Sequence, residues 1–233
     1  MKLSIVVPVY NEAKTITTVL EVIESVSLPG IEKEIVVVDD CSTDGTREVL
    51  KKLAETNRYQ VFFHEKNQGK GAALRLGFSK ATGDFIIIQD ADLEYDPHEY
   101  PLLLGPLLDG KADVVFGSRF IGDRPHRVLF FWHSVGNKVL TLFSNMLSDL
   151  NLTDMETCYK AFSKEALAKI LPKLTSSRFT IEPEITARVA QARLKIYEVG
   201  ISYHGRTYEE GKKIGIKDGF SALWAIIKFN WFA

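Results

Sequence analysis

Two cysteines, Cys41 and Cys158, are all that this 233-residue chain contains. They form neither a metal pair nor a disulfide framework, which points to a reducing compartment. With a net charge of -1 there is no global field to draw in nucleic acid, so local charge must hold any anion. No stretch reaches the roughly 18 uncharged apolar residues of a membrane span. The opening MKLSIVVPVYNE has an apolar run too short, and broken by Pro8, to read as a signal peptide. Nucleotide-cradle motifs are missing too. There is no G-x-x-x-x-G-K-S/T, and Gly69-Lys70-Gly71 lacks the third glycine of G-x-G-x-x-G, where Leu74 stands. His64, His98 and His204 show no metal-ligand spacing.

What is present is an alternation. With 45% hydrophobic and 25% charged residues, the chain has the make-up of a globular domain with a sizeable core. Buried-strand runs at 2–9, 34–40, 59–65, 84–90 and 112–119 alternate with helical patterns at 12–26, 42–55 and 69–81. This implies an α/β fold, a mostly parallel sheet flanked by helices. The second half predicts one or two amphipathic helices in 128–150, helices over 162–174 and 181–194, and a strand over 195–203. A polar, glycine-rich loop over 204–218, read as mobile, and a short amphipathic tail helix over 222–233 complete the pattern. With no repeat or linker, one domain is expected. Residues 1–120 would form its nucleotide and metal half, and 121–233 its acceptor half.

The acids lie where such a sheet binds ligands, outside the carboxyl ends of its strands. "EIVVVDD" delivers Asp39 and Asp40. "IIIQDADLEYDP" delivers Asp90, Asp92, Glu94 and Asp96, every second residue an acid. Clustered carboxylates are hard oxygen ligands suited to Mg²⁺ or Mn²⁺, which bind one or two of them together with substrate phosphates. The competing reading is a solvated cap for the next helix.

Taken together, "SIVVPVYNE", "EIVVVDDCSTDGT", "NQGKGAALRLGFSKATGDFIIIQDADLEYDP" and "GSRF" resemble the family 2 glycosyltransferases of the GT-A, Rossmann-like fold. The nearest branch is that of the dolichol-phosphate mannose synthases and polyprenyl-phosphate glycosyltransferases. The resemblance covers nearly the whole chain. It implies an inverting, metal-dependent transfer of a sugar from a nucleotide sugar of the GDP-mannose or UDP-glucose type to a polyprenyl or dolichyl phosphate. Pro8, Tyr10, Asn11, Glu12, Asp39, Asp40, Lys70 and Asp90 would then bind the nucleotide. Asp90, Asp92 and Glu94 would hold Mg²⁺ or Mn²⁺, Glu94 standing where the branch often has Gln. Asp92, Arg119, Asp154 and Arg206 are the catalytic candidates, with Glu156 second to Asp154 as a base. "DMETCYKAFSKEAL" resembles the family's D-x-x-x-G-F/Y-K stretch, with Cys158 where a small residue is common.

The acceptor decides the chemistry. A hydroxyl needs a general base. A phosphate monoester is mostly dianionic at neutral pH and needs cations instead. Arg119, His133, Arg206, Lys212 and Lys213 are the acceptor-phosphate candidates, with Arg124 and Arg127 as further cations. The aromatic-rich stretches 128–143 and 222–233 have the make-up of interfacial helices. They predict a cytoplasmic protein, peripheral on the cytoplasmic face of a membrane, with a membrane-protein partner as an option and no nucleic acid. Three other readings stand beside this one: transfer to a glycan or other hydroxyl, a nucleotidyltransferase, and a non-catalytic nucleotide-sugar-binding protein.

Overall fold

The computed structural model describes residues 1–122, 125, 127, 128, 130–207, 209 and 215–232, with the backbone alone for Ile216 and Lys217. The elements run β1 (Lys2–Val9), α1 (Ile16–Ser25), β2 (Glu32–Asp39), α2 (Thr46–Ala54), β3 (Gln60–Phe63), α3 (Lys70–Lys80) and β4 (Phe85–Ile88). Then follow α4 (Tyr100–Leu108), β5 (Val114–Ser118), α5 (Phe131–Ser148), β6 (Lys160–Ser163), α6 (Lys164–Ile170), α7 (Ile181–Gln191), β7 (Ile196–Gly200) and α8 (Ile216–Trp231). The strands form one sheet in the order β3-β2-β1-β4-β6-β5-β7. All neighbours are parallel except β6, which runs antiparallel to both β4 and β5.

The continuous apolar run of β1 follows from its central place. Leu3, Ile5 and Val7 face one layer with α1 and α4, while Val6 faces the other with α3, α6 and α7. Period-two alternation therefore feeds two cores at once, and no face is left polar. Pro8 is tolerated in this central strand because it pairs with Val38 on one side and lies past the end of β4 on the other. Outside α7 lies a further layer: α8 packs on it through Ala187, Ala225 and Phe229.

Several elements differ from the sequence reading. Residues 160–163 are a strand and not the start of a helix. Ser163 ends β6 and caps α6, its hydroxyl accepting from the Ala166 N–H at 3.1 Å. Four residues that include a fully buried Lys160 carry no strand pattern. That lysine is neutralised by Glu182 Oε2 at 2.5 Å, a partner distant in sequence. Helix α4 was not expected, since Pro101, Gly105 and Pro106 mask its apolar Leu103, Leu104 and Leu107. Residues 131–148 form one helix, one of the two outcomes expected for 128–150. Finally, α8 begins at Ile216 inside the expected loop, where the Asp218 carboxylate accepts from the Gly215 N–H at 2.8 Å.

Candidate active site

The ends of β1, β2, β4 and β5 and the loop entering β6 converge on a cavity of about 400 Å³. Because β6 is antiparallel, its start lies at the same sheet edge as the ends of its neighbours. The order along that edge is Asp40 after β2, Pro8 to Glu12 at and after β1, Asp90 and Asp92 after β4, Glu156 and Cys158 before β6, and Arg119 after β5.

At the β2 end, Asp40 is held by three donors: His64 Nδ1 (2.7 Å), the Gln68 N–H (2.8 Å) and the Gly69 N–H (2.6 Å). The carboxylate thus fixes the N-terminus of α3. Pro8, Tyr10, Glu12, Asn67 and Lys70 join it on the cavity wall. Asp39 and Asn11 do not. Asp39 is fully buried and takes Arg47 Nε at 2.8 Å. Asn11, at φ 54°, ties the loop after β1 to the loop after β2 through Ser42 Oγ (2.9 Å) and the Thr43 N–H (2.8 Å). Both support the wall from behind.

The glycines around Lys70 have a packing reason. A Cβ on Gly69, which sits at φ +93°, would meet the Ser177 carbonyl oxygen at 2.4 Å, and one on Gly71 the Ser176 carbonyl oxygen at 2.5 Å. Only glycines let segment 176–178 pass this close, and that passage brings Arg178 and Phe179 onto the cavity wall. Nothing local in the sequence joined the two segments.

The acids after β4 meet cations. Lys70 Nζ lies 2.7 Å from Asp90 Oδ1. Arg206 reaches Asp92 Oδ2 at 2.9 Å and Glu12 Oε1 at 3.4 Å, and its backbone N–H donates to Glu94 Oε1 at 2.8 Å. Tyr203 donates its hydroxyl to Glu94 Oε2 at 2.7 Å. Burial, with Asp90 and Glu94 alongside, pushes the Asp92 carboxyl up to about 7 against the pull of Arg206. Asp96 follows the bland reading: it caps the turn at Pro97–Glu99 by accepting from the His98 N–H at 2.9 Å.

These residues fit a divalent cation in part. The wall carries six carboxyls (Glu12, Asp40, Asp90, Asp92, Glu94, Glu156) against four cations (Lys70, Arg119, Arg178, Arg206). A diphosphate entering this excess of acid needs added positive charge, and hard oxygen donors suit Mg²⁺ or Mn²⁺. As the side chains stand, no three His, Cys, Asp or Glu among the described residues are grouped to hold a metal. Asp90 and Asp92 are the pair available, and Glu94 is turned to Tyr203 and Arg206.

Beyond β4, Arg119 is gripped by Asp154, with Nε to Oδ2 at 2.6 Å and Nη2 to Oδ1 at 2.7 Å, and its guanidinium lies 5.1 Å over the Tyr203 ring. Asp154 is 0% exposed, is not among the residues on the cavity wall, and holds Arg119. Glu156 does line it. Burial beside Glu182 pushes its carboxyl up to about 7, although Lys160 and Arg119 oppose the shift. Tyr95, Cys158 and Tyr203 complete this end. Tyr203 ends a β-like run and Tyr95 sits among acids, so neither stands out in the sequence. His133, on α5, stacks with Phe130 and is not on the wall. Arg127 donates to the Gly205 carbonyl at 3.0 Å. Lys212, Lys213 and Arg124 lie outside the described residues.

Residues 4–171 match the family described as glycosyl transferase family 2. The chain belongs to that family. It is a glycosyltransferase, and the expected α/β architecture with a GT-A-like sheet is borne out. It is 27% identical over 216 residues to a dolichol-phosphate mannosyltransferase of Pyrococcus furiosus, covering 92% of this chain and 61% of that protein. It is 26% identical over 239 residues to a UDP-N-acetylglucosamine–dolichyl-phosphate N-acetylglucosaminyltransferase of Methanococcus voltae, covering 96% and 94%. Both names fall in the branch that the motifs resemble. Among solved structures, the glucosyl-3-phosphoglycerate synthase of Mycobacterium tuberculosis with Mn²⁺, UDP and phosphoglyceric acid superposes at a TM-score of 0.75. It is 20% identical and the match covers 100% of this chain and 79% of that one, a likeness of fold. No helix among the described residues of this family 2 glycosyltransferase is long and apolar enough to cross a membrane.

Proposed function

We propose that this enzyme moves a sugar, with inversion, from a nucleotide sugar to a polyprenyl or dolichyl phosphate at a membrane surface. The nucleoside lies between Pro8, Tyr10 and Asp40, the diphosphate over Asp90 and Asp92, and the sugar toward Glu156 and Arg119. When bound at Asp90 and Asp92, Mg²⁺ or Mn²⁺ supplies the positive charge that the diphosphate leaving group requires. Lys70, on the same wall, keeps Asp90 in place. Arg206 gives up Asp92 and turns its guanidinium to phosphate oxygens. Arg119, held rigid by Asp154, points a permanent cation at the acceptor phosphate, whose dianion attacks the anomeric carbon without a base.

The observation that carries the lipid acceptor is the double face of α5. On its inner side Asn137 Nδ2 donates to Asp154 Oδ1 at 3.1 Å, which places the helix against the partner of Arg119. On its outer side Phe131, Trp132, Val139, Leu142 and Met146 are exposed at helical spacing. Neighbouring α8 adds exposed Phe220, Trp224 and Trp231. An apolar surface thus lies about one helix diameter, ~10 Å, from the proposed phosphate site. That surface supports peripheral docking on a membrane; the cytoplasmic side and a membrane-protein partner are part of the same proposal.

A second reading has an observation of its own. Glu156 is a cavity carboxyl held near neutrality, the property a general base for a hydroxyl acceptor needs. The two readings separate in one assay: purified protein with labelled GDP-mannose, UDP-glucose or UDP-N-acetylglucosamine, Mn²⁺ and a short-chain prenyl phosphate. Label moving into the organic phase supports the proposal. Transfer to water-soluble hydroxyl acceptors alone, with prenyl phosphate inert for every donor, overturns it.

A further inference from the structure

We infer that Glu156 is a specificity-determining residue for the donor, its carboxyl hydrogen-bonding a hydroxyl of the sugar being transferred. The inference rests on the proposed reaction, in which a phosphate acceptor leaves this carboxyl no base work to do. Among the described residues, every other carboxyl on the cavity wall has a protein donor. Lys70 serves Asp90; Arg206 serves Glu12, Asp92 and Glu94; and Asp40 takes two backbone N–H groups and His64. Glu156 is the exception: its Oε1 is buried and has no hydrogen-bond partner.

That orphan oxygen is not the result of a loose loop. The residues on both sides are pinned. The Met155 N–H donates to Thr141 Oγ1 at 3.2 Å, and Lys160 Nζ draws in the carbonyls of Met155, at 3.2 Å, and of Thr157. Asp154, two residues back, is locked to Arg119. The backbone is fixed and the carboxyl is left without a partner at a cavity wall. A buried polar atom in that state is costly unless a ligand or a water in the cavity completes it.

Topology names the ligand. Glu156 lies in the loop that enters β6, the strand next to β4, on the side of the diphosphate acids away from the Asp40 end. The group bonded to the diphosphate on that side is the transferred sugar. A carboxyl held near neutrality, as this one is, can both donate to and accept from a hydroxyl.

Calorimetric titration of the full chain with Mn²⁺ tests this. The ligands are GDP and UDP, which lack the sugar, and GDP-mannose, UDP-glucose and UDP-N-acetylglucosamine, which carry it. E156A is expected to weaken the preferred nucleotide sugar roughly 10- to 100-fold while the matching nucleoside diphosphate stays within about twofold. E156Q, which keeps a donor and an acceptor at that place, is expected to recover most of the loss. A monodeoxy analogue lacking the contacted hydroxyl is expected to bind wild type and E156A alike. Equal loss of nucleotide and nucleotide sugar would mark a structural role and overturn the inference. So would unchanged nucleotide-sugar affinity with abolished turnover in both variants, the signature of a general base. Absence of any nucleotide-sugar binding to the wild type would instead overturn the proposed function itself, and this inference with it.

Discussion

Replacing Asp154 by Asn is the change whose outcome the structure fixes best. The carboxylate is 0% exposed and accepts from Arg119 Nε, Arg119 Nη2, the Arg119 backbone N–H and Asn137 Nδ2, at 2.6, 2.7, 3.1 and 3.1 Å. An amide in its place offers one oxygen to that set of donors and turns an NH₂ toward a guanidinium. The cost is that of breaking a buried ion pair from one side, about 3–5 kcal/mol. For a domain of this size that is a Tm lower by roughly 6–20 °C. Activity falls as well, because Arg119 loses its orientation, yet the pH dependence of the remaining turnover keeps its shape. Thermal and urea unfolding of D154N, R119M and the double variant R119M/D154L measure this. The double variant, with both charges gone, regains much of the loss. A D154N protein with Tm within about 2 °C of wild type, and with one limb missing from its pH–rate profile, would refute the reasoning. Asp154 would then act as a base on substrate.

Three further outcomes follow from other residues. D92N removes Mn²⁺-dependent nucleotide affinity in calorimetry but not the fold. Because the Asp92 carboxyl is held up to about 7, the folded protein retains a proton there that the unfolded chain loses near pH 4. Its contribution is therefore present below about pH 4 and lost as pH rises through about 7, and D92N flattens that slope in Tm measured across the window. Glu34 behaves in the opposite sense. Burial alone would raise its carboxyl, but Lys2, Ser4 and Thr82 outweigh it and bring it down to about 2. Its contribution is present above about pH 4.5 and lost as pH falls toward 2, so E34Q lowers Tm at pH 7 far more than at pH 2.5. Lastly, W132S/W224S lowers partitioning onto anionic vesicles by roughly 30- to 1000-fold in a sedimentation assay, since each of the two exposed side chains offers about 1–2 kcal/mol of apolar burial. Unchanged partitioning counts against the lipid acceptor.

The parts of this molecule that were legible in its sequence are those whose cause is local. β1, β2 and β4 show as apolar runs because each is buried on both faces. Their acidic tips show because acids there contrast with the run before them. What stayed hidden depends on partners far along the chain. Lys160 reads as a helix-side charge until Glu182 is folded against it. The glycines at 69 and 71 look like a failed nucleotide fingerprint until segment 176–178 crosses them. Asp154 and Glu156 are two residues apart with the same side-chain chemistry, and no periodicity tells which faces the cavity. In the fold Asp154 is paired with Arg119, and Glu156 is the one of the two on the cavity wall.

The same logic bears on how the site admits a donor. Arg206 alone joins Glu12, Asp92 and Glu94, residues that reach it from two different strand ends. Segment 203–206 is held at four more points: the Tyr203 hydroxyl and the Arg206 N–H donate to the Glu94 carboxylate, the His204 N–H donates to the Glu94 backbone carbonyl, and Arg127 donates to the Gly205 carbonyl. In this arrangement the guanidinium neutralises carboxylates that the proposed reaction assigns to a divalent cation, so the two compete for Asp92. If a divalent cation were held at Asp92 in the proposed reaction, Arg206 would be free to pair with phosphate oxygens of the donor instead. Arg206→Ala separates the two halves of that exchange. It should bind Mn²⁺ alone more tightly than wild type, because the competitor is gone, and should turn over donor more slowly, because the phosphate partner is gone. Metal affinity that falls along with turnover would mean that Arg206 holds the acids in place for the metal and does not contend with it.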